Sequence, residues 1–101
     1  MTKHRTKPVH PGVYLKELLS ELKISQYRLA KELGVPAMRI NLVVNCKRPV
    51  TADLALRLGR YFGQNPRYWM NLQSRYDMDV AEDALSEQVI NEVRPLIRVC
   101  P

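Results

Sequence analysis

Arg39 and Asn41 lie two residues apart in the stretch Gly34-Val35-Pro36-Ala37-Met38-Arg39-Ile40-Asn41. A guanidinium can donate two parallel N–H groups to a guanine edge, and a carboxamide can both donate to and accept from an adenine edge. Either pairing needs the side chain carried to the floor of a DNA major groove, which admits an α-helix. On a solvated helix face the same two residues would do nothing in particular, so the surrounding elements must decide between the two readings.

Those elements are helical. Leu15, Leu18, Leu19 and Leu22 recur at i, i+3, i+4 and i+7, which predicts a first helix starting near Pro11 with one apolar stripe. Ser25 is a natural N-cap for a short second helix, QYRLAKEL, which buries Leu29, Ala30 and Leu33 and stops at Gly34. Val35 is held extended by the proline after it, and Pro36 suits the first turn of a third helix. In that helix Ile40, Val43 and Val44 form the inward stripe, Ala37, Met38, Arg39, Asn41 and Leu42 lie outside or flank it, and Asn45-Cys46 ends it. Thr51 caps a fourth helix through Phe62, closed by Gly63. Asn65-Pro66 opens a fifth, expected to run to about Ala84 through Trp69, Leu72, Tyr76 and Val80. Beyond Leu85, Pro95 interrupts the apolar pattern, which predicts a short extension or adaptable tail.

Two short helices joined by a tight glycine-containing turn are a helix-turn-helix. In that arrangement the first helix of the pair spans the phosphate backbone while the second enters the major groove. Ala37, Met38, Arg39 and Asn41 are therefore the expected base-contacting residues. Ser25 and Gln26 offer backbone N–H groups and a side-chain amide to phosphate at a helix N-terminus, and Tyr27, Arg28, Lys47 and Arg48 extend the phosphate-contacting set.

Charge agrees with this placement. The chain of 101 residues has a formal net charge of +6. Residues 1–50 hold 10 Lys and Arg against 3 Glu, whereas residues 51–101 hold 6 Arg against 7 Asp and Glu. A polyanion would thus meet the first half. Cys46, Cys100, His4 and His10 have no zinc-ligand spacing, and two cysteines make no disulfide framework. No cofactor is expected. Neither is an enzyme, since the chain has no Ser/His/Asp set, no phosphate-cradling glycine loop and no HExxH. No apolar run reaches the ~20 residues of a membrane span, and no apolar segment follows the basic N-terminus, so a cytoplasmic protein is expected.

The segments ISQYRLAKELGVPAMRIN and VNCKRPVTADLALRLGRYFGQNPRYWMNLQSRYDMDVAED, within a match running from about His10 to Asp83, resemble the HigA antitoxin family. That family is also labelled virulence-associated protein I and belongs to the Xre-type, lambda-repressor-like superfamily. The resemblance implies an all-α, five-helix bundle that dimerises, binds palindromic operator DNA in its own promoter, and pairs with a HigB toxin, an mRNA-cleaving ribonuclease. It places DNA-facing positions on Gln26, Ala37, Met38, Arg39 and Asn41, with Lys47 and Arg48 at a phosphate-contacting turn. The family commonly has Asn-Gly-Lys-Arg where this chain has Asn45-Cys46-Lys47-Arg48. A cysteine there must either accept about 1 kcal/mol of left-handed strain or adopt a different turn.

The expected organisation is a basic N-terminal arm over 1–9, a DNA-binding domain over 10–84 and a C-terminal extension over 85–101 that contacts a second copy or a toxin. The aromatic and aliphatic residues of the fifth helix are read as core or interface rather than as a stacking platform for single-stranded RNA. Trp69, Leu72, Tyr76, Val80 and Val89 form the expected dimer interface. The two histidines are expected in solvent. Lys3, His4, Arg5 and Lys7 could touch DNA as an arm, and Cys46 beside two cations could be redox-sensitive. Two other functions stay open at this point: a stand-alone repressor without a toxin, and an RNA- or protein-binding module that uses the helix-turn-helix as scaffold.

Overall fold

The computed structural model describes residues 7–97. Among them are five helices and no strands: α1 (Pro11–Leu22), α2 (Gln26–Leu33), α3 (Ala37–Val44), α4 (Ala52–Phe62) and α5 (Arg67–Glu92). The all-α, five-helix expectation is met. Helix α3 packs on α2 and α1, α4 packs on α2, and α5 closes the bundle against α4 and α1.

Local chemistry sets most helix ends. The Ser25 hydroxyl accepts the Arg28 N–H at 3.0 Å, and the Thr51 hydroxyl accepts the Leu54 N–H at 3.2 Å, as expected of N-caps. Gly34 and Gly63 stop α2 and α4 in the left-handed region, at φ 74° and 68°. Pro36 sits one residue earlier than expected, at the N-cap of α3 with φ −64° and ψ 142°. There its lack of an N–H costs nothing. Asn65 Oδ1 accepts the Arg67 N–H at 2.9 Å and starts α5.

The core is one cluster. Leu15 and Leu19 of α1, Leu29, Ala30 and Leu33 of α2, Ile40, Val43 and Val44 of α3, and Leu54, Ala55 and Leu58 of α4 meet with Val50 and Trp69. Trp69 corrects an expectation. It is 1% exposed and its Nε1–H donates to Gln64 Oε1 at 2.8 Å, so its ring fills the protomer's own core and offers nothing to a second copy. Leu72 and Tyr76 are half-buried, while Val80 and Val89 are exposed.

Helix α5 runs unbroken past Ala84 to Glu92, eight residues beyond the expected end, and so crosses the proposed boundary between residues 84 and 85. Its buried residues are only Trp69 and Gln73. The remainder extends away from the bundle and draws the molecule out to 55 × 27 × 21 Å. A helix of this kind shows no strong apolar stripe to sequence reading, because most of its residues face water. Pairs such as Gln88 Nε2–H to Glu92 Oε2, 3.2 Å, support its last turns. Residues 93–97 follow without regular structure. Lys3, His4, Arg5 and Cys100 lie outside the described residues, and Lys7 is exposed.

Candidate nucleic-acid interface

The junction between α2 and α3 is closed by backbone bonds from the Gly34 N–H to the Lys31 carbonyl, 3.3 Å, and from the Val35 N–H to the Ala30 carbonyl, 3.0 Å. A left-handed residue at Gly34 reverses the chain in the fewest atoms, so α3 begins three residues after α2 ends. The short link fixes one helix relative to the other.

Ala37, Met38 and Asn41 are exposed on α3, with Met38 65% exposed. Asn41 Nδ2–H donates to Gln26 Oε1 at 3.3 Å, so the first residue of α2 touches the outer face of α3. Ser25 and Gln26 stand at the N-terminus of α2, where the first four backbone N–H groups have no helical partner and the helix dipole is positive. The Ser25 hydroxyl takes one of these for itself. Tyr27 is 71% exposed, and Arg28 Nε–H donates to Glu32 Oε2 at 3.2 Å. The Tyr61 hydroxyl also donates to Glu32. That bond first, and Arg28 second, hold the Glu32 carboxyl below its usual range, and the same carboxylate holds the Tyr61 hydroxyl above its own.

Arg39 is placed differently from its expected companions. It is half-buried and turned toward α4, with Nη2–H donating to Thr51 Oγ1 at 2.7 Å and Nη1–H to Asp53 Oδ2 at 3.3 Å. The structure therefore brings Ala37, Met38 and Asn41 together on an open surface and leads Arg39 away from them.

Lys47 and Arg48 are exposed in the link after α3. Cys46 adopts φ 62°, the left-handed conformation that a glycine would take without cost. The Cys46 N–H bonds the Val43 carbonyl at 3.0 Å and the Lys47 N–H bonds the Leu42 carbonyl at 2.8 Å, which is a Schellman stop. Of the two alternatives open to a cysteine here, the chain takes the strained one and keeps the turn.

Two residues to which sequence reading assigned no structural role support the link after this turn from behind. Gln73, buried on α5, accepts the Val50 N–H through Oε1 at 2.7 Å and donates from Nε2 to Asp77 Oδ1 at 2.9 Å. His10 was expected in solvent. It is buried instead, its Nδ1 accepts the Gly12 N–H at 2.8 Å as the N-cap of α1, and its ring meets Tyr76 edge-on at 5.0 Å. Burial lowers its pKa from the usual value, against the opposing pull of a hydrogen bond to the Arg48 backbone and of the Asp77 charge. The run His10-Pro11-Gly12 held the signal for His10: a side-chain acceptor just ahead of a proline at N1. Gln73 had no local signal.

Among the described residues no group of three or more His, Cys, Asp or Glu could hold a metal ion, and no helix is long and apolar enough to cross a membrane.

No protein-family model matches the chain. Individual proteins do. Virulence-associated protein I of Dichelobacter nodosus is 43% identical, with 93% of this chain and 86% of that protein covered. Antitoxin HigA-1 of Vibrio cholerae is 30% identical over 95% of this chain and 90% of its own. Among solved structures, the Pseudomonas aeruginosa antitoxin HigA with the higBA promoter superposes with a TM-score of 0.86 at 43% identity, covering 90% of this chain and 100% of the other.

Proposed function

Because the chain belongs to the family of HigA antitoxins and virulence-associated protein I, we propose that it is a sequence-specific DNA-binding antitoxin of a type II toxin-antitoxin system. It represses its own operon and neutralises a HigB-type ribonuclease. Its roles are binding roles, carried out in the cytoplasm, and no catalytic step is assigned to it.

The observation that carries this reading is the rigid α2–α3 pair presenting Ala37, Met38 and Asn41 on one open surface, in a chain 43% identical to an antitoxin solved with promoter DNA. Ala37, Met38 and Asn41 meet base edges in the major groove, where an apolar side chain can contact a thymine methyl and Asn41 can read adenine. Ser25, Gln26, Tyr27, Arg28, Lys47 and Arg48 contact phosphates and set the register. The protein acts as a two-fold dimer with its α3 helices ~34 Å apart, which matches a palindromic operator. Half-buried Leu72 and Tyr76 and exposed Val80 and Val89 of α5 supply the dimer contact.

Binding to a labelled duplex of the chain's own upstream region, titrated against a scrambled duplex at about 150 mM salt, tests the DNA role. A preference of about 10³-fold or more is expected of a specific binder. Equal, weak binding to both duplexes would refute it. Co-purification with the product of the neighbouring reading frame, with loss of that product's RNA cleavage, tests the toxin role. A neighbour that neither binds nor cleaves RNA would leave a stand-alone repressor.

A further inference from the structure

We infer that Arg39 serves DNA recognition as a positioning residue, held by Thr51 and Asp53, and that base edges are read without it by Ala37, Met38 and Asn41. This rests on the DNA-binding role proposed above.

The guanidinium's two terminal nitrogens form the fork that would grip a guanine edge, and both are already engaged. Nη2–H donates to Thr51 Oγ1 and Nη1–H to Asp53 Oδ2. Only a quarter of the Arg39 side chain is exposed, at 25%. Nε–H and a second hydrogen on each terminal nitrogen remain, but turning the terminal fork itself onto a guanine edge would require breaking a charge-assisted bond to a carboxylate, and such bonds are about twice as strong as neutral ones.

The network continues beyond that pair. Arg57 Nε–H, one turn along α4, donates to both oxygens of Asp53 at 3.2 Å each. Arg57 Nη1–H then reaches the carbonyl of Leu33 at 2.8 Å, the last residue of α2 before the Gly34 turn. Thr51 Oγ1 also accepts the Leu54 N–H, so the hydroxyl that receives Arg39 is the N-cap of α4. Asp53 is thus the junction of one chain of bonds from α3 through α4 to the end of α2. Both helices of the helix-turn-helix are tied to the same two turns of α4. Side chains that must meet base edges have to be held to about 0.5 Å, and these bonds add directional constraints on α3 to the packing of its inward stripe.

Charge gives the test its sign. Asp53 is a carboxylate beside the recognition helix of a protein whose ligand is a polyanion. If Arg39 read a base and Asp53 merely competed for it, Asp53→Ala would free the arginine, remove a repelling charge and tighten operator binding. If Asp53 holds Arg39 and α3 in place, the same change loosens binding.

Operator affinity would be measured for Arg39→Ala, Asp53→Ala, the double variant and Asp53→Asn, each on the native operator, on a set of single-base-pair variants of it, and on scrambled duplex. Melting curves would establish that each variant is folded at the assay temperature. Each single substitution is expected to weaken operator binding about tenfold, within the range seen for residues sharing one network, and the double variant to lose about the same tenfold. Asp53→Asn, which keeps a hydrogen-bond acceptor, is expected to recover part of the loss. Scrambled-duplex binding of Asp53→Ala should be equal to or tighter than that of the unsubstituted protein. The rank order of base-pair variants should survive in Arg39→Ala. Tighter operator binding by Asp53→Ala, an additive loss near hundredfold in the double variant, or loss of discrimination at a single base pair in Arg39→Ala would each overturn the inference. Absence of operator preference in the unsubstituted protein would instead refute the DNA-binding role, and the inference with it.

Discussion

Replacing Cys46 with glycine should stabilise the fold, although it removes a side chain and adds no contact. Cys46 has φ 62° and an exposed side chain, and the bonds that close the turn, Cys46 N–H to Val43 and Lys47 N–H to Leu42, are all backbone. Nothing in packing is lost with the thiol. A left-handed conformation costs an L-residue roughly 1–2 kcal/mol, and glycine escapes this while losing about 0.5–1 kcal/mol more backbone entropy on folding. The difference leaves a gain of about 0.5–1 kcal/mol, or roughly 2–8 °C in melting temperature for a domain of this size. Thermal melts of Cys46→Gly, Cys46→Ala and the unsubstituted protein at one concentration would measure it, concentration being held because association shifts the midpoint. Alanine keeps the Cβ and so should gain nothing. A glycine variant no more stable than the parent, or an alanine variant stabilised equally, would refute the assignment of strain to this backbone position.

Three other outcomes are expected. Burial lowers the folded pKa of His10 from its usual value of about 6.5, so its neutral form contributes stability above the unfolded pKa that is lost as pH falls through the folded value. Urea midpoints should therefore drop as pH falls below about 6.5, and His10→Asn, which can still cap α1 but does not titrate, should flatten that drop; an unchanged slope would contradict the burial. Val89→Glu, on the exposed half of α5, should leave a folded protein that light scattering shows to be monomeric, and an intact dimer would remove that half of α5 from the interface. Lys47→Ala should weaken operator and scrambled duplex equally and reduce the salt slope by about one, whereas a loss confined to the operator would move Lys47 from phosphate to base contact.

Much of the fold is decided within a few residues and was legible for that reason. Ser25, Thr51, Gly34 and Gly63 act on backbone groups three to five positions away, so their roles as caps and stops follow from residue type and place alone. The apolar stripes of α1, α2 and α4 likewise follow from period, and the turn between α2 and α3 follows from Gly34 and Pro36. The same local rules underread α5, whose outer half has few buried residues to set a period.

The direction of a long side chain is decided by what other helices bring near it. Arg39 and Asn41 looked alike in the sequence, both polar and both on the outer half of α3. Only the arrival of Thr51 and Asp53 from α4 separates them, drawing Arg39 inward and leaving Asn41 beside Gln26. Trp69 could have served core or interface, and the space left between the helices, with Gln64 to receive its N–H, assigned it to the core. His10 and Gln73 became supports of the link after Cys46 through residues that lie far along the chain, at Arg48, Tyr76 and Val50. Residue type and spacing determined the helices, their caps and the helix-turn-helix, because those depend on neighbours a turn away; the tertiary structure decided which polar residues of α3 lie open and which are tied to other helices, because that depends on partners 12 to 66 residues distant.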